Sequence, residues 1–151
     1  MTSRARLAIA IAVGLVVVIQ LVPINRTNPP AEDEIPVSEA VRDVLRQSCY
    51  DCHSNETDWP WYAHVAPASW LVASDVHEAR GDMNFSTWNR YDGEERADHL
   101  EEIWKEVDHG DMPPWTYLLM HRDARLTPED IAVIRAWVGP GTGPDSVAPR
   151  P

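Results

Sequence analysis

The sequence predicts an all-α protein, one small helical domain behind an N-terminal apolar helix. Three observations carry that expectation. Apolar residues recur at three- and four-residue spacing in separate stretches of the 151-residue chain, no stretch reads convincingly as a strand, and glycine or proline stands at the helix boundaries. No internal repeat is present, and the length suits one domain with appendages.

The first six residues carry Arg4 and Arg6 and no acid. From Leu7 to Ile24 the chain is apolar apart from Gly14 and Gln20, with Pro23 near the end. Eighteen residues make about 27 Å of helix, just enough to cross a bilayer. A cleaved signal peptide is the competing expectation, but its apolar region is normally shorter and ends at an Ala-x-Ala-like site, whereas Leu-Val-Pro-Ile-Asn-Arg follows here. The expectation is a retained transmembrane helix over residues 1–24. Its arginines place the amino terminus in the cytoplasm and the remaining domain in the periplasm or its equivalent. Residues 25–36 are rich in proline and acid (Pro29, Pro30, Glu32, Asp33, Glu34) and read as an extended linker that holds the domain off the membrane.

The domain itself spans 37–139. Ser38 is an N-cap candidate, and Val41, Val44 and Leu45 follow at helical spacing up to Cys49. The polar and aromatic stretch from Ser54 to Tyr62 reads as a loop. A second helical stretch opens at Pro67 and runs to a stop at Gly81. A third runs from about Glu94 to His109 on the stripe Leu100, Ile103, Trp104 and Val107, with Gly110 ending it. Its acids (Glu94, Glu95, Asp98, Glu101, Glu102, Glu106) form a solvated face. Thr127-Pro128 starts a last helix, which buries Ile131, Ile134, Trp137 and Val138 before Gly139. Residues 140–151 alternate glycine, proline and small polar residues and read as a disordered tail.

Both cysteines of the chain fall in Cys49-Tyr50-Asp51-Cys52-His53. Cys-x-x-Cys-His is the spacing of covalent c-type haem attachment: each thiol can add to a porphyrin vinyl group, and the histidine that follows is carried beneath the iron. Cys49 and Cys52 are the candidate thioether anchors and His53 the proximal ligand. A thioredoxin-type dithiol would follow a strand pattern, and none precedes this one. Structural zinc would need a second ligand pair, yet His64, His77, His99, His109 and His121 offer no H-x₃₋₅-H spacing. A disulfide across two residues would close a very small loop and stabilise little.

One histidine leaves a sixth position on the iron. Met112, in Gly110-Asp111-Met112-Pro113-Pro114, is the leading candidate, because Pro113 and Pro114 stiffen the loop that carries its thioether. Met83 and a histidine, chiefly His64 or His77, are the alternatives. Met120, within Leu118-Leu119-Met120, reads as core filler.

The run Cys49 to Thr57, then Trp59-Pro60-Trp61-Tyr62, Ala66-Pro67-Ala68-Ser69-Trp70, Asn84-Phe85-Ser86, Met112-Pro113 and Leu126-Thr127, resembles the bacterial haem-binding domain family of membrane-anchored, single-haem cytochromes c. The resemblance covers about Val37 to Val138. It implies a small cytochrome c-like helical domain around one covalent haem c, with His53 proximal and Met112 distal, and it names no partner. Pro113-Pro114-Trp115 is stiffer and more aromatic than the family's usual continuation.

Among the seven tryptophans, Trp59, Trp61, Trp70 and Trp137 are expected on or near the porphyrin. Filling a small core is the competing role for each, and Trp59 and Trp61 have a further one at a membrane interface. Charge bounds the partners. After the anchor, 11 basic residues face 24 acids, which excludes nucleic acid and favours a redox partner with a basic docking patch, unless the acids serve only solubility. The expected activity is one-electron transfer rather than catalysis. An enzyme or gas sensor with a weak or open sixth position is the alternative; haem delivery is disfavoured because covalent attachment opposes handing the haem on.

Overall fold

The computed structural model describes residues 2–138. Their regular elements are all helical, without a strand among them. The main helices are α1 (Ser3–Ile19), α2 (Glu39–Ser48), α3 (Tyr50–His53), α4 (Ala68–Asp82), α5 (Gly93–His109), α6 (Trp115–Leu118) and α7 (Pro128–Val138). Three 3₁₀ turns, Trp61–His64, Phe85–Arg90 and Arg122–Ala124, join them. The all-α expectation holds. Residue 139 and the expected tail over 140–151 lie outside the described residues.

The core forms where α2 and α5 both pack on α7. Val41, Val44 and Leu45 of α2 meet Val107 of α5 and Ile134, Trp137 and Val138 of α7, with Phe85 and Trp88 closing one side. These are the stripes that the helical spacing marks out. Local chemistry sets the helix ends. Ser38 Oγ accepts from Val41 N–H at the start of α2. At α5, Asp92 and Glu95 make a reciprocal capping box. Gly110, at φ 76°, takes the left-handed conformation that ends α5, and the amides of Asp111 and Met112 both bond back to the Glu106 carbonyl.

Two expectations need correction. The apolar segment is helical only over Ser3–Ile19, 17 residues, and no helix among the described residues is long and apolar enough to cross a membrane. The helix stops because Gln20 turns into the domain: its side-chain amide donates to the Ala66 carbonyl at 3.2 Å and accepts from Ala66 N–H at 2.9 Å. Pro23 then prevents helix from resuming. α1 buries none of its residues.

The segment 25–36 is irregular, as expected, but it does not stand off as a linker. Ile35 is in the core, the amides of Glu32 and Asp33 donate to the Ser86 carbonyl, and Glu32 pairs with Arg90. Arg80 of α4 adds four bonds that sew this segment to the loop after α3: Nε to Ser54 O, Nη1 to Thr27 O, and Nη2 to both Asn28 Oδ1 and Thr57 Oγ1. Prolines suppress regular structure without preventing packing. Gly81 likewise does not stop α4, which continues to Asp82 before Met83 turns extended.

Candidate functional site

The Cys49–His53 segment folds as one helical turn at the end of α2. Cys49 caps both helices, and the amides of Cys52 and His53 bond back to the Cys49 carbonyl at 3.2 and 2.9 Å. Positions i, i+3 and i+4 of a helical turn share a face, so this turn brings both thiols and the imidazole to one side. The spacing of the motif is the pitch of the helix.

Ser54 ends the turn. It is fully buried, its hydroxyl donating to the Tyr50 carbonyl at 2.7 Å and accepting from Glu56 N–H at 2.9 Å. Asn55, also buried, accepts from Asn84 Nδ2, donates to the Pro30 carbonyl, and through its amide bonds Ser86 Oγ. The polar stretch after the motif is thus an internal hydrogen-bond network, and its buried groups are paired as burial demands. The loop expectation catches its irregular backbone but not its burial.

His53 Nδ1 lies 3.2 Å from the Met83 carbonyl oxygen. A carbonyl can only accept, so Nδ1 carries the hydrogen and Nε2 keeps its lone pair. Burial holds the imidazole pKa below its usual value, against the opposing pull of the Met83 and Ala79 carbonyls and Asp82. The side chain is therefore a neutral, oriented nitrogen donor, the form in which histidine binds a metal. Phe85 packs at its edge and stacks on Tyr50.

The thiols are free. Burial, then the neighbouring Cys52, pushes Cys49 up to about 12; burial, then Asp51 and Asp75, pushes Cys52 up to about 11. A reactive dithiol has a depressed pKa, and the shift here runs in the opposite direction. Among the described residues no group of three or more His, Cys, Asp or Glu is placed to hold a metal ion. Neutral thiols beside an oriented neutral imidazole fit a covalently attached haem.

The other expected site residues separate. Met112 sits on the loop after α5, its amide held by Glu106 and its side chain 40 % exposed, with Pro113 buried beside it. Met83 is a core residue whose carbonyl, not its sulfur, serves the site. His64 and His77 are exposed. Trp137 belongs to the core cluster, the packing role that its place on the apolar face of α7 indicates. Trp59 is half-buried and donates to Asn28 Oδ1, whereas Trp61 and Trp70 are exposed. Met120 is exposed rather than core filler.

Sequence reasoning missed a second cluster. Tyr117 of α6 donates to Asp51 Oδ2 at 2.6 Å, and Asp51 lies between the two cysteines. The His121 ring stacks flat on Tyr117 with centroids 4.2 Å apart, and its Nε2 lies 2.7 Å from the Tyr62 hydroxyl. The four-residue step from Tyr117 to His121 is the one available signal.

Fold and site together define a helical domain that presents two thiols and one imidazole from a single turn. A family model described as "Haem-binding domain" matches residues 14–139, and the chain belongs to that family. It is a haem-binding protein. No curated protein and no solved structure matches the chain.

Proposed function

We infer that this protein is a c-type cytochrome carrying one haem, with His53 Nε2 and Met112 Sδ as axial ligands, and that it transfers single electrons at the outer face of the cytoplasmic membrane. The observation that carries the reading is the single turn that aligns Cys49, Cys52 and His53 while Met83 fixes the imidazole tautomer. Cys49 and Cys52 would hold the haem, each thiol adding S–H across one vinyl double bond, sulfur to one carbon and hydrogen to the other. When bound, the haem supplies a one-electron ferric/ferrous couple.

The chain's own residues provide the rest. His53 offers a lone pair held in one direction, and Phe85, Tyr50 and the core behind them exclude water from its far side. Met112 is supported as sixth ligand by its loop: Glu106 holds its amide, and Tyr117, five residues on, is bonded to the attachment turn itself. The alternative reading is a haem enzyme or sensor with an open sixth position.

Membrane attachment is supported by α1, which is apolar on all sides from Leu7 onward and leaves Leu7, Ile9, Ile11, Val13 and Leu15 uncovered. The Gln20–Ala66 pair keeps the domain at the end of that helix. The acidic surface supports a redox partner with a basic patch.

Visible spectra of the oxidised and reduced protein, with acid–acetone extraction, test the attachment. Haem that stays with the polypeptide and a ferric sulfur-to-iron charge-transfer band are expected; extractable haem overturns the c-type assignment. Rapid carbon monoxide binding by the ferrous protein at neutral pH would transfer the reading to the open-site class.

A further inference from the structure

The arm between α5 and α7 is pinned at both ends, and its far end is fastened to the haem-attachment turn. At the near end the Met112 amide bonds to the Glu106 carbonyl. At the far end Tyr117 donates to Asp51 Oδ2, His121 stacks on Tyr117 and pairs with Tyr62, and Gln47 of α2 donates to the Asp123 carbonyl at 2.7 Å. The Asp51 carboxylate is not free to follow a moving tyrosine: its other oxygen accepts from Asp58 N–H, and its own carbonyl accepts from Thr57 Oγ1.

We propose that Tyr117 is a positioning residue for Met112, its bond to Asp51 and the Tyr62–His121 brace latching the arm to the Cys49–His53 turn so that the thioether stays available to the iron. The proposal rests on the His53/Met112 reading above. Its physical basis is chain length. Only Pro113, Pro114, Trp115 and Thr116 separate Met112 from Tyr117; the prolines fix two of the intervening φ angles, and Pro113 is buried. Movement at Tyr117 is therefore transmitted to Met112 instead of being absorbed by slack. The donor survives across the working pH range, because burial and then the bond to Asp51 raise the Tyr117 hydroxyl pKa. A charge-assisted bond of this kind holds the latched state by an amount that corresponds to roughly tenfold or more in population.

The test uses the mature haem protein and the Tyr117→Phe variant, which removes one oxygen from the latch. The expected result is unchanged covalent haem content, a clearly weakened charge-transfer band in the ferric form, and carbon monoxide association with the ferrous form faster by about tenfold or more. Asp51→Asn keeps one neutral acceptor but loses the charge and the second acceptor, so it should weaken the band partly, whereas Asp51→Leu should weaken it as fully as Tyr117→Phe does. A merely structural tyrosine would lower thermal stability without touching the band. Wild-type spectra and carbon monoxide rates in Tyr117→Phe, with the band lost in Met112→Ala, overturn the latch and leave the ligand reading standing. An intact band in Met112→Ala overturns the ligand reading and the latch with it. Should Tyr117→Phe fail to mature, Tyr62→Phe removes only the brace on His121; a partly weakened band is expected, and a wild-type band overturns the proposal.

Discussion

His53 and Met83 are joined by a 3.2 Å hydrogen bond from the imidazole to a backbone carbonyl, across thirty residues of sequence. The bond makes the end of α4 part of the proposed haem site, because Met83 is the residue at which that helix turns extended. It also brings Phe85 to the edge of the ring: two residues past Met83, it is 1 % exposed and packs against both Tyr50 and His53. Phe85→Ala is expected to destabilise the domain by about 3–5 kcal/mol, read from urea unfolding of the haem-free protein. A loss below about 1 kcal/mol would show that the site does not depend on this ring.

Arg80 makes four hydrogen bonds to Ser54, Thr27, Asn28 and Thr57. Arg80→Met keeps much of the stem's bulk and loses the fork. Hydrogen exchange should then accelerate in residues 27–34 and 54–57 while α2 and α7 keep their protection. Uniform acceleration everywhere would mean that Arg80 supports the whole fold and not this seam.

Each thiol is expected to contribute one thioether. Cys49→Ala and Cys52→Ala singly should still retain haem against acid–acetone when maturation proceeds, and the double variant should release any haem it binds. Retention in the double variant would assign attachment to other residues.

Glu34 is held below the ordinary carboxylate range by its bond to Arg46, with Arg42 adding to it. A carboxylate whose folded pKa is depressed adds stability above its unfolded pKa and loses it as pH falls through the folded one. The contribution should therefore disappear on acidification below the ordinary value of 4.5. Glu34→Gln is expected to flatten the acid limb of the unfolding midpoint against pH, and an unchanged limb would leave this trio without a role in acid stability.

The helices of the core were legible because their information is local. Val41, Val44 and Leu45 declare one buried face and Gly110 a stop, whatever lies elsewhere in the chain. The Cys49–His53 turn was legible for the same reason, since Cys49, Cys52 and His53 need only one turn of helix to align. Residues 25–36 misled because proline and acid indicate irregular backbone and say nothing about whether that backbone packs. Ile35 was the one apolar residue late in that segment, and it reached the core. The extent of α1 was overestimated because hydropathy does not register that Gln20 has partners on Ala66.

By itself the sequence determined the helical class, the thiol and imidazole donors, and the loop on which Met112 stands. Only the tertiary structure decided which carbonyl orients His53, that Met83 serves by its backbone, and that Tyr117 reaches Asp51. Spacing within a turn is a property of neighbouring residues. A hydrogen bond between segments thirty or sixty-six residues apart exists only after burial of the core has brought them together.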